Sequence, residues 1–181
     1  MHTDDENEAY ILLMLSDSNL PTGSFVASSG LESYLKHGFP SGGSSNAASK
    51  SAAITTFIRD SLATYARSAL AFVSDAHIVA QKLAADNMDD VESKLRALDD
   101  LYDAMTLHHV ARRASKSQGV ALLTLYTRGF AAPEPAMHSP FSALVDRFKL
   151  LVRREEAHGH LPVCWGILTA SLGLSLGALH I

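Results

Sequence analysis

Apolar residues recur at intervals of three and four along nearly the whole chain, the period of one helix face. Tyr10 to Leu15 begins a short apolar helix, which Asn19-Leu20-Pro21 stops. A second helix starts near Ser28 or Ser29, where Ser29-Gly30-Leu31-Glu32 fits a capping box, and ends near Gly38. Residues 40 to 51, PSGGSSNAASKS, read as a solvated loop. Ile54, Ile58, Leu62, Tyr65, Ala69 and Phe72 mark a strong helix that runs toward Lys82, and Ala85-Asp86-Asn87 breaks it. From Asp89 to Arg112 the pattern places Leu95, Leu98, Tyr102, Met105 and His109 on one face, with Glu92, Lys94, Arg96, Asp99 and Asp103 pointing elsewhere. It pauses between Ser115 and Gly119 and resumes through Leu122, Leu125 and Tyr126. A proline-bearing loop over 129–140 leads to Ser139-Pro140, an N-cap and first-turn pair for a helix through Glu156. Gly159 closes that helix and Pro162 opens a last one. Six or seven helices and no strand predict a single-domain all-α helical bundle.

The final stretch changes the picture in one respect. Residues 161 to 179 carry no formal charge, and Gly173 and Gly177 stand at a close-packing spacing. The favoured reading is a buried central helix, not a membrane span, because no second span and no basic flank accompany it. At the other end, residues 1–9 are acidic and polar and read as a disordered segment, leaving 10–181 as the domain. That N-terminus lacks the basic and apolar regions of a secretory signal, so a cytoplasmic protein is expected. The 181 residues with a net charge of −4 suit one folded domain and argue against a nucleic-acid binder. A single cysteine, Cys164, excludes an internal disulfide and a cysteine-based zinc site.

Candidate chemistry is sparse. The glycine- and hydroxyl-rich stretch LPTGSFVASSGLE, residues 20–32, is not a P-loop: Ser28 stands at the second glycine position and no lysine follows Gly30. Nor is it a nucleophile elbow, since Val26 stands where the first glycine is needed. A capped turn is the simpler reading, and an anion held by free amides is the alternative. Nine histidines raise a metal hypothesis. His108 and His109 diverge by about 100° on a helix. His158 and His160 make a possible two-ligand site, and no specific metal site is expected from them. Arg112, Arg113 and Lys116 form a basic cluster, either a solvated face or a docking point for an acidic partner. No Ser-His-Asp order, close carboxylate pair or cofactor loop emerges.

Three stretches, taken together and in order, resemble the UreF-type urease accessory proteins. They are LLMLSDSNLPTGSFVASSGLESYLKHG (12–38), RRASKSQGVALL (112–123) and HGHLPVCWGILTASLGL (158–174). The first is similar to the family's signature of apolar helix, Asp-Ser, Leu-Pro, Gly-x-Phe and Ser-x-Gly-Leu-Glu. The second is similar to its R-x-S-x-x-Q-G element, and the third to its G-H-x-P-V-x-x-G element.

The resemblance implies an all-α accessory protein with no catalytic activity of its own. It implies a homodimer that joins UreD (UreH in some organisms), recruits the GTPase UreG, and helps deliver nickel to apo-urease, with nickel handled by the complex and no tightly bound cofactor. It assigns partner contacts to Gly23, Ser24, Phe25, Ser28, Gly30, Leu31 and Glu32, to Arg113, Ser115, Gln118 and Gly119, and to His160, Pro162, Val163 and Gly166. Phe25 is either an interface anchor or a core residue. Two alternatives stand beside the adaptor: a direct activator of UreG with Arg113 as an arginine finger, and a nickel carrier using His158 and His160. Family members continue with further helices after the third element, so the chain reads as truncated at its C-terminus, with the 161–179 helix uncovered. The serine-rich loop over 40–51 reads as longer than the family's.

Overall fold

The computed structural model describes residues 2–17, 20, 30–37, 47–84, 87–131 and 139–177. Seven α-helices and no strand occur among them: α1 (His2–Leu15), α2 (Leu31–Lys36), α3 (Ala47–Gln81), α4 (Met88–Met105), α5 (His109–Gly129), α6 (Pro140–Arg153) and α7 (Leu161–Ser171). A single 3₁₀ turn, Lys82–Ala84, follows α3. The expected all-α bundle is the observed one.

α7 is the axis of the bundle, with eight of its residues buried, and it packs chiefly on α3 and α5. Phe148, Leu95, Leu122, Leu123 and Leu144 close the core around its own Ile167 and Leu168. Gly166 makes the α3–α7 approach possible, because a Cβ there would lie 2.6 Å from the Val73 carbonyl oxygen and 2.8 Å from the His77 nitrogen. Gly119 does the same for α5, where a Cβ would lie 2.1 Å from the Gly159 carbonyl oxygen.

Local chemistry explains most boundaries. Asn87 caps α4 by accepting from the Asp89 amide, and Asp89 and Asp90 favour its positive end. Ser139 caps α6 through the Ser142 amide, ahead of Pro140. α7 ends in a Schellman motif: Gly173 N–H donates to Ala170 O (3.1 Å) and Leu174 N–H to Thr169 O (3.0 Å), with Leu174 buried.

Several expectations are corrected. Helix α1 begins at His2, inside the segment read as disordered. α2 begins at Leu31 with Gly30, at φ 91, as its N-cap, and Ser29, on which the expected capping box rests, lies outside the described residues. Residues 47–51, read as loop, are the first turn of α3. The break between α4 and α5 falls at 106–108 and not at 115–119, so His109 starts a new helix. α6 stops at Arg153, and Glu155 takes the left-handed turn at φ 60. α7 stops at Ser171, well short of 179. Gly173 is a cap at φ 72, with nothing within 4 Å of where a Cβ would stand, so Gly173 and Gly177 form no close-packing seam. Among the described residues no helix is long and apolar enough to cross a membrane. The α3 stripe of Ile54 to Phe72 is core-facing only from Ala69 onward; Ile58, Leu62 and Tyr65 remain exposed.

Candidate functional site: a polar junction of α4, α5 and α7

Two of the three sequence elements meet in one buried polar junction. Its centre is Asp99 on α4, fully buried, whose carboxylate accepts three consecutive backbone N–H groups: His158 at 2.6 Å and Gly159 at 2.8 Å on Oδ2, and His160 at 2.9 Å on Oδ1. Three donors aimed at one side chain require an acceptor-only group, which a carboxylate supplies and an amide does not. One turn on, Asp103 accepts from Lys116 Nζ at 2.8 Å and from His160 Nε2 at 2.9 Å. The segment preceding α7 is thereby held from α4, and the Leu161 amide is held from α5 by Ser115 Oγ at 3.1 Å. This replaces the cap that His160 does not provide with its own side chain.

The protonation pattern follows. Burial by itself raises the Asp103 carboxyl, but hydrogen bonds from Lys116 and His160, with the charges of His158 and Lys116, outweigh it and hold the group at about 2. Asp103 is therefore an acceptor, which makes Nε2 the protonated nitrogen of His160 and leaves Nδ1 to accept from the Ser115 hydroxyl at 3.1 Å. Burial pushes the His160 imidazole below its ordinary value despite Asp103 and Asp99. The Tyr102 ring stands edge-on to it, centroids 5.1 Å apart. Lys116 Nζ also lies 3.0 Å from His158 Nδ1, and His158 is only partly exposed. Nearby, burial and the Asp99 charge push the Cys164 thiol well up, so it stays an unreactive thiol.

Ser115, His160 and Asp103 are hydrogen-bonded in the order of a nucleophilic relay, which no reading of the sequence order disclosed. Its serine is buried and its oxygen already accepts the Leu161 amide. An attacking hydroxyl needs open space beside it, so this relay serves to fasten α7.

The individual expectations now find their places. Gly23, Ser24, Phe25 and Ser28 lie outside the described residues. Gly30 and Glu32 are exposed and Leu31 is half-buried. Ser115, Gly119, His160, Pro162, Val163 and Gly166 are buried within the chain, and Gln118 is half-buried. Those six join α5, α7 and the turn between α6 and α7 to the rest of the bundle. The basic cluster divides as well. Arg112 donates to the carbonyls of Thr106 (2.9 Å) and Asp103 (3.0 Å), and Lys116 turns to Asp103. Arg113 is exposed and has no ion pair or hydrogen bond among the described residues.

His158 and His160 do not fit a shared nickel site. Their rings are tilted by 52° with centroids 5.8 Å apart, and both nitrogens of His160 are engaged inside the fold. Among the described residues no group of three or more His, Cys, Asp or Glu side chains is arranged to hold a metal ion. The residues that sequence reasoning missed are Asp99 and Asp103. One signal was present: Asp99 lies at helical spacing within the apolar series Val91, Leu95, Leu98 and Tyr102, where a carboxylate needs a buried partner.

The UreF family model matches residues 48–180. Urease accessory protein 6 of Cryptococcus neoformans var. grubii is 36% identical, covering 96% of this chain and 66% of that protein. A UreF-like urease accessory protein of Schizosaccharomyces pombe, described as uncharacterized, is 30% identical over 96% of the chain and 65% of its own length. The urease accessory protein UreF of an Arthrobacter species is 28% identical over 91% and 60%. The chain thus spans somewhat less than two thirds of the length of these relatives. No solved structure matches it. With a family model covering residues 48–180 and a relative 36% identical over 96% of it, the chain belongs to the UreF family.

Proposed function

We propose that this chain acts in urease maturation as an adaptor without catalytic activity of its own. In this reading it dimerises and holds a UreD/UreH-type protein and the GTPase UreG in a geometry that couples GTP hydrolysis to nickel delivery into apo-urease. Nickel is the cargo of the assembly. The observation that carries the reading is the family match across residues 48–180. The junction supports it: the groups with chemical potential, Ser115, His160, Asp103 and Cys164, are committed to the fold, and a rigid bundle presents shape to other chains. The test is size-exclusion chromatography of the purified chain with UreD-type and UreG-type proteins and apo-urease. Co-elution in at least one nucleotide or nickel state is expected. Its absence in every state counts against the adaptor.

One observation favours a second reading. Arg113 is exposed and has no partner among the described residues, as suits a residue entering a GTPase site from outside. Arg113→Ala separates the two: lost GTP turnover with assembly intact supports an arginine finger, whereas lost assembly supports an adaptor contact.

A further inference from the structure

The corner between α4 and α5 exposes a run of large apolar side chains. Within a ten-residue span Leu101, Met105, Leu107 and Val110 all face solvent, with Met105 59%, Leu107 86% and Val110 43% exposed. Single exposed apolar residues are ordinary, but a run of this kind marks an interaction surface.

The corner is also held rigid. Arg112 reaches back from α5 to the carbonyls of Thr106 and Asp103, and Thr106 Oγ1 donates to Tyr102 O at 2.8 Å. His108 Nδ1 accepts the Ala111 amide at 3.3 Å and caps α5, and its ring stacks on His109 with centroids 5.4 Å apart. A surface whose backbone is already fixed loses little conformational entropy on binding. Leu107 is therefore presented by structure, not left over in a loose connection.

Charge selects the occupant. Arg113 lies three residues beyond Val110 on α5, so the two side chains are neighbours on its surface. Its neighbours Arg112 and Lys116 both turn inward to Asp103, while Arg113 has no partner among the described residues. An unpaired cation at the rim of an apolar patch sets the orientation of a partner that brings a carboxylate.

We propose that Met105, Leu107 and Val110, flanked by Arg113, form a docking corner for a protein partner that presents apolar side chains beside a carboxylate. This rests on the adaptor reading, and it places a contact on residues that lie outside all three family-like stretches except for Arg113. Leu107 is the anchor and Arg113 fixes the register.

The test measures affinity of the full chain for UreG-type, UreD-type and apo-urease probes by biolayer interferometry, with sedimentation of the chain alone. The variants are Leu107→Ser/Val110→Ser and Arg113→Glu, with Leu150→Ser, an exposed apolar residue on α6, as the control. Both corner variants are expected to weaken one of the three complexes at least tenfold, with an unchanged melting temperature and an unaffected control. For Arg113→Glu the loss shrinks as salt rises. Unchanged affinity of both corner variants for every probe overturns the docking corner while the adaptor stands. Loss of self-association alone assigns the corner to a second copy of the chain and also overturns it. A wild-type chain that binds none of the probes removes both.

Discussion

Asp99 is the side chain on which the junction depends most, and Asp99→Asn is the sharpest test of that statement. The substitution keeps size and shape and removes one acceptor oxygen. The remaining amide oxygen can retain the two N–H groups now on Oδ2, His158 and Gly159, while the new NH2 faces the His160 N–H. One charge-assisted bond is lost and one buried donor is left opposed by another donor. Hydrogen bonds to charged groups contribute about 1.5–3 kcal/mol, and an unsatisfied buried donor costs about 1–3 kcal/mol. Relief of the buried charge offsets part of this. The net expectation is a destabilisation of about 3 kcal/mol, which in a chain of this size lowers the melting temperature by about 6–12 °C. Urea titration followed by circular dichroism measures it, with an unchanged m-value as the check that the folded state is still the reference. Native-state hydrogen exchange should also show lost protection at 158–160 before α7 loses its own. A variant within about 0.5 kcal/mol of wild type, inside the range of ordinary surface changes, would refute the claim that this carboxylate holds the turn.

The remaining expectations concern packing and protons. Gly119→Ala and Gly166→Ala should each cost at least about 3 kcal/mol by urea titration, because the added carbon would sit 2.1 Å and 2.6 Å from backbone oxygens that no rotamer change can move. Gly173→Ala, with open space but φ 72, should cost only about 1–2 kcal/mol from left-handed strain; equal losses in all three would contradict the close-approach argument. Burial holds His160 and His77 below the ordinary 6.5, so the unfolded chain takes up protons first and stability should fall as pH drops below about 6.5, by up to about 1.4 kcal/mol per pH unit for each group. Asp103, lowered from 3.8 to about 2, adds a second loss as pH falls from about 4 toward 2. A urea midpoint that stays flat from pH 7.5 to 5 would count against the buried neutral imidazoles. Nickel equilibrium dialysis of His158→Ala/His160→Ala should give the wild-type stoichiometry, since His160 is engaged in the fold; a lost equivalent would restore the carrier.

Periodicity along the chain determined the class of the fold, and it did so because a three- and four-residue repeat can be buried in only one kind of element. The cap at Ser139-Pro140 and the start of α7 at Pro162 were readable for the same local reason, as helix ends expose amides within one turn. Resemblance over three stretches pointed to the family, and the match across 48–180 agrees. What those stretches do was not readable. Ser115, Gly119, His160 and Gly166 carry the resemblance, and the intramolecular contacts they make could not be read from their order. Asp99 and Asp103 looked solvated because carboxylates usually are. Their partners are backbone amides and a lysine more than a dozen positions away, and such pairings exist only once α4, α5 and α7 are packed. A sequence states which residues prefer water. Which of them give it up depends on donors that folding alone brings within 3 Å.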